Sequence, residues 1–178
     1  MLIERRLVFA FMLVAAAMLS ACGFHLRGSG NQAELPFKTI YLGFPQTSSL
    51  GNELKRYIAA SDGTVVVTDP KAAEAILEAL RESRTKEIIS LNSQGRVREY
   101  ALYYKLLFQV KDGKNNILLA PTEINIKRLI SFNESQVLAK EAEETMLYRD
   151  MQTDLVQQVL RRLTAIKPAQ EVKPAQQG

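Results

Sequence analysis

An alternating run from Tyr100 to Val110 limits the fold more than any other feature of the chain. Tyr100, Leu102, Tyr104, Leu106, Phe108 and Val110 fill every second position, and Val97, Glu99, Ala101, Tyr103, Lys105 and Gln109 alternate with them. Side chains of an extended strand point to opposite faces with period two. One nearly unbroken apolar face and one mixed face therefore predict a long strand in a sheet covered on one side.

The flanks extend this reading. Lys111-Asp112-Gly113-Lys114-Asn115 turns the chain back, and Ile124, Ile126, Ile130 and Phe132 continue a partner strand. Arg128 interrupts that apolar face, and a bulge or an edge position accounts for it better than a functional inward charge. Upstream, Ile88-Ile89-Ser90-Leu91 is strand-like and runs into Asn92-Ser93-Gln94-Gly95, a hairpin turn signal. Lys38 to Leu42 reads as a first strand ahead of a turn at Gly43 and Pro45. Ser48 or Ser49 then caps a helix with Leu50, Leu54, Tyr57 and Ile58 on one face, ended by Asp62-Gly63. Thr64 to Thr68 follows as a second short strand.

From Asp69 the signals conflict. Asp69-Pro70 looks like an N-cap and first helical residue, and Lys71 to Leu80 is rich in helix formers. Propensity alone gives a helix to about Leu80 and a strand beyond it. At the other end, Asn133-Glu134-Ser135-Gln136 caps a long amphipathic helix. Its stripe is Leu155, Val156, Val159, Leu160, Leu163 and Ile166, which should cover the sheet, and Pro168 stops it.

The N-terminus carries a different signal. Arg5 and Arg6 precede an uncharged run from Leu7 to Leu19, the layout of an export signal and too short for a comfortable permanent span. Leu19-Ser20-Ala21-Cys22 resembles the lipobox of bacterial lipoproteins, in which the cysteine is acylated and becomes the new N-terminus. Residues 1–21 are thus expected to be a signal peptide and 22–36, with Gly28-Ser29-Gly30, a lipidated flexible linker. Residues 37–166 should form one domain. Residues 167–178 are expected to be a disordered tail, because the near-repeat of Lys167-Pro168-Ala169-Gln170 and Lys173-Pro174-Ala175-Gln176 offers little apolar surface to bury.

Composition excludes several classes of activity. The whole chain has a net charge of +4; loss of Arg5, Arg6 and Glu4 with the signal lowers it by one, a mild balance without the clustered basic stripe of a nucleic-acid binder. Cys22 is the only cysteine and His25 the only histidine. No disulfide can form within the chain, no metal site or cofactor is indicated, and a nucleophile–histidine pair would have to recruit His25 from a tether. Glu141, Glu143 and Glu144 are the densest acidic cluster, but helical spacing puts Glu143 apart from the other two. They read as a solvated face, so a carboxylate hydrolase is the weakest hypothesis.

Seven segments, in order, carry a resemblance: Cys22-Gly23-Phe24-His25-Leu26-Arg27, Leu50-Gly51-Asn52-Glu53-Leu54-Lys55-Arg56, Gly95-Arg96-Val97-Arg98-Glu99-Tyr100, Ser131-Phe132-Asn133-Glu134, Val137-Leu138-Ala139-Lys140, Met146-Leu147-Tyr148-Arg149-Asp150-Met151, and Leu160-Arg161-Arg162-Leu163. Up to Ile166 the chain resembles the LptE family of lipopolysaccharide-assembly lipoproteins of the Gram-negative outer membrane. The resemblance implies an α+β fold, with two helices packed on one face of a mixed, mostly antiparallel four-stranded sheet. It also implies a short turn at Asp69–Ala73 and a long strand over Glu74–Leu91, against propensity.

The resemblance implies a function without catalysis. The protein would plug and help assemble the LptD β-barrel, taking part in lipopolysaccharide transport at the cell surface. Lipid A carries phosphates, which arginine grips in a bidentate way and lysine meets as a point charge. Lys140 falls in the segment where family members that bind lipopolysaccharide place a functional lysine. Ser93 stands where some members have a hairpin arginine, with Arg96 and Arg98 nearby as substitutes. Gly23 after the anchor implies release to the outer membrane. The competing reading is a periplasm-facing lipoprotein that binds a small ligand or cell-wall polymer without a barrel partner, for which a deep apolar pocket would speak.

Overall fold

Five strands form one mixed sheet in the computed structural model, which describes residues 35–61 and 63–167. The signal segment, Cys22, the linker up to residue 34, Asp62, and the tail from Pro168 onward lie outside the described residues. The strands are β1 (Thr39–Gly43), β2 (Val65–Val67), β3 (Ala75–Leu91), β4 (Val97–Asp112) and β5 (Ile117–Ser131), in the order β2-β1-β3-β4-β5. β1 runs parallel to both β2 and β3, whereas β4 is antiparallel to β3 and β5.

This corrects the expected four-stranded, mostly antiparallel sheet. There are five strands, and two of the four pairings are parallel. The additional edge strand is β2, three valines within the short segment anticipated over Thr64–Thr68. Helix α1 (Ser49–Ala59) returns the chain across the sheet, so the strand after it runs parallel to β1. The class remains α+β.

β3 is where context overrides propensity. Asp69 accepts from the Lys71 N–H and caps only a 3-10 turn, Pro70–Ala72. Ala75 to Leu80 then belongs to the strand, with Ala75 and Leu77 fully buried between β1 and β4. Pairing on both edges and burial outweigh the few tenths of a kcal/mol per residue that separate good helix formers from others.

The alternation of β4 is realised as expected. Leu102, Tyr104, Leu106, Phe108 and Val110 are all buried under the helices. α1 begins at Ser48, whose hydroxyl accepts from the Gly51 N–H at 3.0 Å, and buries Leu50, Leu54 and Ile58; Tyr57 faces outward. α2 (Val137–Thr164) follows a 3-10 turn over Glu134–Gln136 and buries Met151, Leu155, Val156, Val159 and Leu163. Both helices share one core with the same face of the sheet. β5 is an edge strand, and Arg128 uses that position: it extends from the apolar face and pairs with Asp154 of α2.

Candidate functional site

A register shift in β3 shapes the end of the domain that holds the basic residues. At Leu80 the pairing slips between Ala79 opposite Phe108 and Arg81 opposite Leu107. Such a bulge reverses the phase of the pleat. Beyond it Glu82, Arg84, Lys86 and Ile88 lie opposite Leu106, Tyr104, Leu102 and Tyr100, on the helix-covered face. The distal half of β3 thereby presents charges where its first half presents apolar groups.

The β3–β4 hairpin is closed by Asn92, whose side-chain oxygen accepts from the Gln94 and Arg96 N–H groups at 3.0 and 2.9 Å. Gly95 has φ +77°, a left-handed conformation that favours glycine, and leads directly into Arg96. Arg96 pairs with Glu134 at 3.0 Å, at the start of the turn that enters α2. The Arg98 carbonyl accepts from the Phe132 N–H at 2.8 Å, while the Arg98 side chain stays exposed.

Phe132 joins two adjacent concavities, each of about 230 Å³. Arg96, Arg98, Asn92 and Glu134 line the first with it, and Lys86, Tyr100, Lys140, Glu141 and Glu144 line the second. The Phe132 ring meets Tyr100 edge-on, with centroids 5.4 Å apart. All three basic residues read from the sequence therefore come together around one aromatic side chain. Cys22 lies outside the described residues.

Lys140 is not a freely solvated helix residue. Only 17% of its side chain is exposed, and its ammonium donates to Ser131 Oγ at 3.0 Å and Glu143 Oε2 at 2.8 Å. Lys86 is a member that sequence reasoning missed. Its Nζ lies 2.5 Å from Glu144 Oε2 and 4.3 Å from the Tyr100 centroid. The acidic cluster of α2 accordingly supplies partners: Glu143 for Lys140, Glu144 for Lys86. Three of the four cations thus hold a carboxylate through partly exposed pairs, each worth at most about 1 kcal/mol. A phosphate can replace such a carboxylate at little cost. Among the described residues no group of His, Cys, Asp and Glu could hold a metal ion, and no helix is long and apolar enough to cross a membrane.

The LptE family model, described as lipopolysaccharide-assembly, matches residues 37–163. The chain belongs to the LptE family. A relative from Pectobacterium atrosepticum, "LPS-assembly lipoprotein LptE", is 29% identical over 95% of this chain and 91% of its own length. Another of the same name from Yersinia enterocolitica is 26% identical over 98% of this chain and 83% of its own. A solution structure of an uncharacterized lipoprotein B from Nitrosomonas europaea is 41% identical, with a TM-score of 0.70, over 80% of this chain and 91% of that one. A crystal structure of a rare lipoprotein B from Shewanella oneidensis shares the fold, with a TM-score of 0.62 at 22% identity over 72% of this chain and 95% of that one. LptE membership places the protein in lipopolysaccharide assembly and among non-enzymatic lipoproteins.

Proposed function

We propose that this LptE-family protein is anchored in the outer membrane through acylated Cys22, and that its domain plugs and helps assemble the LptD β-barrel. In that position it contacts lipopolysaccharide through Lys140, Arg96 and Arg98, with Lys86 as a fourth cation. The observation that carries the contact is the convergence of these residues on Phe132 from β3, the β3–β4 turn, β4 and α2. An aromatic ring beside several exchangeable cations suits a ligand that joins phosphates to apolar chains.

The same end of the domain exposes Ile88, Leu91 and Leu138, the last of them 82% accessible. Apolar side chains this exposed suit an enclosing partner better than free solvent. The two concavities are charged and smaller than the roughly 300–1,000 Å³ of typical small-molecule sites, which favours this reading over a small-ligand binder.

Two experiments test it. Lys140→Glu combined with Arg96→Glu should lower lipopolysaccharide retention in a pull-down at physiological salt, while circular dichroism stays unchanged. Undiminished retention would refute the ligand assignment. Replacing Cys22 and supplying a cleavable signal should leave the protein co-purifying with the barrel. Loss of the barrel together with acylation would reduce the role to membrane tethering.

A further inference from the structure

The helix-free face of the sheet carries a second arrangement of aromatic and basic residues. Register places Thr85, Tyr103 and Lys127 in one row across β3, β4 and β5, and Ser83, Lys105 and Asn125 in the next. Tyr104 between these rows is fully buried on the helix side, so Tyr103 and Lys105 face away from the helices. Tyr103 is half-buried and Lys127 exposed. The Lys105 and Lys127 ammoniums lie 5.4 and 5.6 Å from the Tyr103 ring centroid.

These two lysines differ from the other lysine on this face. Lys111, further along β4, is neutralised by Glu78 at 2.9 Å. Among the described residues neither Lys105 nor Lys127 has a carboxylate partner. Two like charges are thus gathered over one ring, where the ring's negative face attracts each but cancels neither. Glu87 and Glu123 stand on the same face in the two flanking rows, yet neither carboxylate forms an ion pair with these ammoniums, which leaves the pair open to an incoming anion. The surrounding hydroxyls of Ser83 and Thr85 and the amide of Asn125 can each donate or accept for sugar hydroxyls. The flat Tyr103 ring offers an apolar surface to hexose C–H bonds.

We infer that this Tyr103–Lys105–Lys127 platform binds the phosphorylated sugar headgroup of lipopolysaccharide, as a contact separate from the Phe132 site and on the opposite face of the sheet. The inference rests on the lipopolysaccharide reading above. Two separate contacts on one domain would let a headgroup be held at one while the other is vacated, as transfer along a surface requires.

The test uses the full-length lipoprotein in mild detergent and a phosphorylated hexosamine disaccharide without acyl chains, followed by amide NMR shifts. Saturable shifts at Tyr103, Lys105 and Lys127 are expected, weakened at least fivefold by K105Q/K127Q and retained in K140E/R96E. Tyr103→Phe should keep most of the affinity and Tyr103→Ser should lose it. Shifts confined to residues around Phe132 and Lys140 would overturn the platform and leave the proposed function standing. An absence of shifts at either place would overturn both, and equal binding of the unphosphorylated disaccharide would overturn the role of the lysines.

Discussion

Lys86 of β3 and Glu144 of α2 meet at 2.5 Å, tying the exposed half of the long helix to the sheet. The same ammonium lies over Tyr100, so one side chain both links α2 to the sheet and enters the charge balance of the cavity at Phe132. Glu144→Gln should change stability by no more than about 1 kcal/mol yet raise lipopolysaccharide retention, because it frees a cation. Lys86→Gln should lower retention. Parallel pull-downs at low and physiological salt check this, and equal retention by both variants would remove Lys86 from the site.

Gln152 links the two helices to β3. Its amide nitrogen donates to the buried Glu53 carboxylate, and its oxygen accepts from Ser49 Oγ at 2.7 Å and Arg84 Nη2 at 2.8 Å. Thr153 Oγ1 donates to the other Glu53 oxygen at 2.9 Å. Gln152→Leu strips one donor from a largely buried charge, a loss of about 1–3 kcal/mol. Urea unfolding should show the midpoint fall with the slope m unchanged.

Gly51 is helical, where alanine would ordinarily gain up to about 1 kcal/mol. Here an added Cβ would stand 2.6 Å from Phe44 Cβ and 2.9 Å from its Cγ. Steric overlap should win: Gly51→Ala is expected to lower stability by about 1–3 kcal/mol. A thermal melt decides the sign, and an increase in Tm would show that the loop carrying Phe44 yields freely.

Acid should weaken the fold through two carboxylates. Hydrogen bonds from Lys111 and then Gln109 hold the Glu78 carboxyl below its ordinary range, and those from Asn116 and nearby backbone amides do so for Asp112. In the unfolded chain such groups take up protons at about pH 4. Their contribution is therefore present above that pH and is lost as pH falls through the depressed folded values. The urea midpoint should drop from pH 5 to pH 3, and Glu78→Gln should flatten part of that slope.

The candidate site was only partly legible before folding. The segments name Lys140, Arg96 and Arg98 as candidates and place Phe132 in a strand without a role. Lys86 was missed because its facing depends on the slip at Leu80: counted in unbroken alternation from Leu77, it falls on the open face. Arg128 followed the edge-position reading, since a charge on the covered face of a border strand can still reach Asp154 at the rim.

Side-chain period is local, and it marks β4, the second half of β5 and the apolar stripes of the two helices. Ser48 caps α1 as expected, whereas Asn133 caps the 3-10 turn ahead of α2 and not the helix itself. The strand character of Ala75–Leu80 was decided by tertiary structure, because only pairing with β1 and β4 outweighs its helix propensity. The fifth strand is similar. Three valines suggest an extended segment, but only the neighbouring edge of β1 makes it part of the sheet. The bulge at Leu80 completes the contrast. A one-residue slip is invisible in composition, yet it determines which charges of β3 meet the helices and which meet solvent.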